Sequence, residues 1–119
     1  MIKAAAEHIV EVMNLPSIQS IDAQIVRWDL AEENMLPPFV NYKLNVLQRI
    51  SKDGLFLYAV ELYIYGNTIL QTAEIADEIT QAVDESNYNW KFRTADSGYN
   101  YTDGREALST LTFEFKFKA

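Results

Sequence analysis

Apolar and polar residues alternate along much of the chain, and in two places the alternation gives way to a helical spacing. The longest such passage runs from Phe56 to Glu85. Phe56–Tyr65 is rich in aromatic and β-branched residues, the composition of a strand. Tyr58, Val60, Leu62 and Ile64 fall on one face of it, and Ala59, Glu61, Tyr63 and Tyr65 on the other. Gly66 ends the strand. Thr68, with Gln71 following, has the spacing of a capping box and predicts a helix start. Ile69, Ala73, Ile75, Ala76, Ile79, Ala82 and Val83 then keep a helical period through Glu85, while Glu74, Asp77, Glu78, Asp84 and Glu85 stay off the stripe. A strand running straight into an amphipathic helix predicts that the helix folds back onto the sheet.

The remaining segments follow the same two periods. Residues 1–13 predict a helix with Ile2, Ala5, Ala6, Ile9, Val12 and Met13 on one face. Pro16 closes it, because proline cannot continue the ladder and disfavours helix at Leu15. Residues 17–23 show no decisive period. Gln24–Trp28 reads as a short strand, and Asp29–Pro38 as a loop carrying Met35, Leu36 and Pro37-Pro38. In Phe39–Ile50, Val40, Tyr42, Leu44 and Val46 alternate with Asn41, Lys43, Asn45 and Leu47. The turn Ser51-Lys52-Asp53-Gly54 should pair this strand antiparallel with the next. Tyr88, Trp90 and Phe92 alternate with Asn89, Lys91 and Arg93 as a further strand. Thr94–Glu106 reads as a polar loop holding Tyr99 and Tyr101. Ala107–Lys118 is the last strand, with Leu111, Phe113, Phe115 and Phe117 on one face.

The pattern predicts one α+β domain over 1–119. Its form is a two-layer sandwich: an antiparallel or mixed sheet of four to five strands with an N-terminal helix and one long central helix packed on it. A chain of 119 residues is long enough to bury a core.

Charge and composition narrow the function. The net charge is −7, which opposes a general nucleic-acid or anionic-membrane surface, so no specific nucleic-acid or membrane partner is expected. The chain holds no cysteine, hence no disulfide, thiolate metal site or cysteine nucleophile. Met1–His8 is not followed by the apolar stretch of a signal peptide, so export through one is not expected, and a cytoplasmic location is. No Gly-rich phosphate loop or Gly-x-Ser-x-Gly elbow occurs. His8 is the single histidine and lies beside Glu7 and Glu11, where a half-buried or surface role on a helix is expected. The acids of 74–85 read as a solvated helix face rather than a calcium loop. No catalytic, cofactor-binding or metal-binding residue is assigned and no cofactor is expected. Tyrosine supplies contact area at small entropic cost, so the candidate interface is Met35, Leu36, Tyr63, Tyr65, Tyr99 and Tyr101.

Three segments carry a family resemblance: Leu36-Pro37-Pro38-Phe39-Val40-Asn41-Tyr42, then Val60–Gly66 with Thr68–Val83, then Leu111–Phe117. Their order resembles phage tail-terminator (tail-completion) proteins. The resemblance implies a non-enzymatic prophage virion component, an acidic homo-oligomer that forms a ring, possibly a hexamer. Its partners would be itself and neighbouring tail-tube or head-completion proteins, in the host cytoplasm or the virion. The alternative is a small-molecule-binding or simple acid/base module with a cystatin-like or nuclear-transport-factor-like curved sheet.

Overall fold

The computed structural model of the chain describes residues 1–21, 23–25, 36–100 and 106–118. Three helices, α1 (Ile2–Met13), α2 (Pro16–Gln19) and α3 (Ile69–Glu85), accompany five strands: β1 (Gln24–Ile25), β2 (Phe39–Arg49), β3 (Leu55–Gly66), β4 (Lys91–Asn100) and β5 (Glu106–Lys118). The strands form one mixed sheet in the order β1-β2-β3-β5-β4. β1 pairs parallel with β2; every other pairing is antiparallel. The fold is the expected α+β arrangement. Among the described residues no helix is long and apolar enough to cross a membrane.

Local chemistry explains the elements. The β2–β3 hairpin turns at Gly54, whose φ of 92° suits glycine. Thr68 caps α3: its Oγ1 accepts from the backbone N–H of Gln71 at 3.1 Å. The Gln71 side chain reaches back and accepts from Asn67 N–H at 2.8 Å, one residue earlier than the usual box. The connection is tight. A Cβ at Gly66 would lie 2.7 Å from Thr72 Cγ2 and 2.8 Å from Gln71 Oε1.

One face of the sheet carries the core. Tyr58, Val60, Leu62 and Ile64 of β3 and Leu111, Phe113 and Phe115 of β5 are buried there under Ala5, Ile9 and Val12 of α1 and Ile75, Ala76, Ile79 and Val83 of α3. The acids of α3 are all exposed, as its period predicts. A chain of hydroxyls ties α3 to the sheet. Ser109 Oγ donates to Thr72 Oγ1 at 2.8 Å, Thr72 Oγ1 donates to Ile69 O at 3.0 Å, and Ser97 Oγ lies 2.7 Å from Ser109 Oγ.

Several sequence expectations need correction. Thr94–Glu106 is not a loop throughout. Thr94–Asn100 continues β4 and Glu106 opens β5; only 101–105 falls outside the described residues. Polar, glycine-containing sequence forms strand here because β5 offers a full ladder, with pairs from Lys91↔Glu114 to Asn100↔Glu106. That strand starts at Lys91 rather than Tyr88, and Trp90 is a core residue ahead of it. Pro16 ends α1 but also opens α2 as its first residue, where its missing N–H costs nothing. Of the strand expected over Gln24–Trp28, Gln24–Ile25 is a strand, and 26–28 lie outside the described residues.

Candidate functional site

Length mismatch between the two layers creates the most distinctive surface. β3 has 12 residues, so it spans about 40 Å, whereas the 17 residues of α3 span about 25 Å. α3 runs back from the Gly66 end and stops short of the hairpin. α1 covers part of the remainder: the phenol of Tyr58 donates to Met1 O at 3.3 Å. Beyond that the sheet overhangs. β2 is buried over Phe39–Tyr42 and exposed over Val46–Arg49. Among the described residues nine large apolar side chains are exposed. Five of them, Met1, Ile2, Val46, Leu47 and Ile50, belong to this end, so the exposure is concentrated rather than scattered. Phe56 and Phe117, paired across β3 and β5, are only partly buried beside them. A register shift between Val46 and Gln48 interrupts the β2–β3 ladder at the same place.

The overhang is basic. Among the described residues of the hairpin and β5 at this end, Arg49, Lys52, Lys116 and Lys118 are exposed against Asp53, with Lys116 and Lys118 on the sheet face opposite Phe56 and Phe117. The guanidinium of Arg49 lies 6.0 Å from the centre of the Phe56 ring and donates to Ser51 O and Lys52 O at 3.3 and 3.4 Å.

The residues expected to form an interface do not form one surface. Leu36 is 82% exposed. Tyr63 and Tyr65 are half-buried on the outer face of the sheet, away from the helices. The Tyr63 phenol donates to Glu61 Oε2, Asn45 Nδ2 donates to Glu61 Oε1 at 3.3 Å, and Tyr65 stacks on Phe39 at 4.9 Å. Burial, then the bond to Glu61 and the neighbouring charge, push the Tyr63 phenol up to about 12. Beside it Asn41 is buried, and its Oδ1 has no hydrogen-bond partner among the described residues. Tyr99 pairs with the buried Ala107 and so belongs to the helix side of the sheet, on edge strand β4. Met35 and Tyr101 lie outside the described residues. Sequence reasoning missed the overhang. The signal available was the length of the two hairpin strands against that of the helix.

His8 is half-buried in a cage of rings. It stacks on Phe117 at 4.7 Å and meets Phe115, Tyr88 and Trp90 at 5.0, 5.4 and 5.9 Å. Burial lowers its pKa, and the charge of Glu11 opposes this. The hydroxyl chain of Ser97, Ser109 and Thr72 is elsewhere. Ser109 and Phe115 are six residues apart on β5, so roughly 20 Å separates the hydroxyls from the imidazole. Among the described residues no serine–histidine pair is assembled.

No family model matches the chain, and no curated protein matches it. Among solved structures the type 4 fimbrial biogenesis protein PilO from Pseudomonas aeruginosa is similar with a TM-score of 0.42 and 4% identity. The likeness covers 67% of this chain and 58% of that one, and at that level it transfers neither fold nor function. The tail-terminator resemblance is therefore corrected: no phage tail family model matches the chain, and the fimbrial structure lends the resemblance no support. The three segments that suggested it describe a strand, a strand running into a helix, and another strand, an order that sheet-and-helix packing produces without common descent.

Proposed function

We propose that this chain is a structural, non-catalytic protein that works by associating with copies of itself, and that the sheet overhang is the contact surface. The observation that carries the reading is the concentration of exposed Met1, Ile2, Val46, Leu47 and Ile50 at one end of the sheet, with exposed bases at the same end. An apolar patch with a charged rim is the usual make-up of a protein contact. Arg49 over Phe56 adds an arginine and an aromatic ring, residue types enriched at such contacts. The distance between His8 and the hydroxyls of Ser97 and Ser109 supports the non-catalytic part of the reading.

Sedimentation velocity across a concentration series tests it. The protein should form larger species as concentration rises. Val46→Glu with Leu47→Glu, both at exposed positions, should abolish them and leave the circular dichroism and melting curve unchanged. A wild-type protein that stays monomeric up to about 1 mM, which corresponds to only about −4 kcal/mol of association, overturns the reading.

A further inference from the structure

The contact proposed above needs a counterpart surface, and the charge distribution identifies one. We infer that the overhang of one copy docks in the acidic groove between α2 and α3 of the next; this rests on the self-association reading. The groove consists of two open hollows of about 260 and 420 Å³ that share Ser17, Ala82 and Glu85. Leu15, Ile21 and Ala82 supply apolar surface inside it, and exposed Glu78 and Glu85 stand at its margin. α3 carries five acids and no base, whereas the overhang carries Arg49, Lys52, Lys116 and Lys118 against Asp53.

The signs decide the geometry. Overhang against overhang sets four bases against four, and groove against groove sets carboxylate against carboxylate. Only the unlike pairing is attractive. The unlike pairing is heterologous: each copy uses its overhang on one neighbour and its groove on another. Both sets of charges are exposed, so salt should weaken the contact.

Charge exchange tests the pairing. One variant carries Lys116→Glu and Lys118→Glu, the other Glu78→Lys and Glu85→Lys; all four positions are exposed, and matching melting curves would show that both variants fold. In the first variant the overhang carries three acids against two bases and faces an acidic groove, and in the second two bases replace the two acids at the groove margin and face a basic overhang. Each alone should associate at least tenfold more weakly than wild type. An equimolar mixture should recover association, because each overhang then meets a groove of opposite sign. Wild-type association should also fall between about 0.02 and 0.5 M salt, as the Debye length shrinks. If wild type associates but either variant alone matches it, or the mixture recovers nothing, the groove is not the counterpart and the self-association reading stands. A wild type that never associates removes both.

Discussion

The indole Nε1–H of Trp90 donates to Nε2 of His8 across 3.0 Å. An imidazole that accepts at Nε2 must be neutral with its proton on Nδ1. The structure thus binds the uncharged form, and burial pulls the pKa in the same direction, below the ordinary 6.5. Around the ring lie Tyr88, Phe115, Phe117 and Trp90, with Glu11 as the one opposing charge and the Tyr88 phenol donating to Glu11 Oε1 at 2.7 Å. A lowered histidine pKa means that the unfolded chain binds the proton more readily. Stability from this site is complete above the unfolded value and declines as pH falls through 6.5 toward the folded value. Thermal melts at pH 7.5 and 5 should show the loss, and His8→Gln should flatten that part of the profile. Trp90→Phe should cost about 1 to 2 kcal/mol by leaving the acceptor unpaired.

Ile79 is fully buried on α3, whereas Leu70 on the same helix is 71% exposed. Ile79→Asp should cost about 4 kcal/mol or more, since it places an unpaired charge in the core. Leu70→Asp should change stability by less than about 0.5 kcal/mol. Equal urea midpoints for Ile79→Asp and wild type would mean that α3 packs through another face.

Two glycines in strands should respond with opposite sign. Gly66→Ala pushes a methyl against Thr72 Cγ2 and Gln71 Oε1 where the strand hands over to α3, and should destabilise by about 1 to 3 kcal/mol. At Gly98 a Cβ meets nothing within 4 Å, so Gly98→Ala should be neutral or stabilise by about 0.5 kcal/mol. Denaturant titrations of both variants would separate the two cases.

Tyr63 should keep its proton where free tyrosine has lost it. Its raised pKa of about 12 means that its contribution to stability is complete below the ordinary 10 and is lost as pH climbs from there through about 12. Absorbance titration near pH 11 should leave one phenol more protonated in wild type than in Tyr63→Phe.

Asn41 should be replaceable. Its buried Oδ1 lacks a donor among the described residues, so Asn41→Leu removes a desolvation cost and should be neutral or stabilising by about 1 kcal/mol. A loss of several kcal/mol would show that the amide is satisfied in solution.

By itself the sequence determined everything that repeats within a few residues. Period-2 runs set β2, β3 and β5, a period of 3.6 set α1 and α3, Thr68 and Gln71 set the start of α3, and Asp53-Gly54 set the hairpin. These features depend on backbone geometry and local capping, which the chain carries in its own order. Tertiary structure decided what depends on a partner strand or a distant ring. β5 inserts between β3 and β4, and its ladder turns the polar run Thr94–Asn100 into strand. His8 becomes a neutral acceptor only because Trp90, 82 residues away, reaches it. The overhang exists because residues in a strand rise about 3.3 Å and those in a helix about 1.5 Å, so similar lengths of chain cannot cover one another. Which apolar residues remain outside is a property of the two layers together, and no local pattern around Val46 or Leu47 records it.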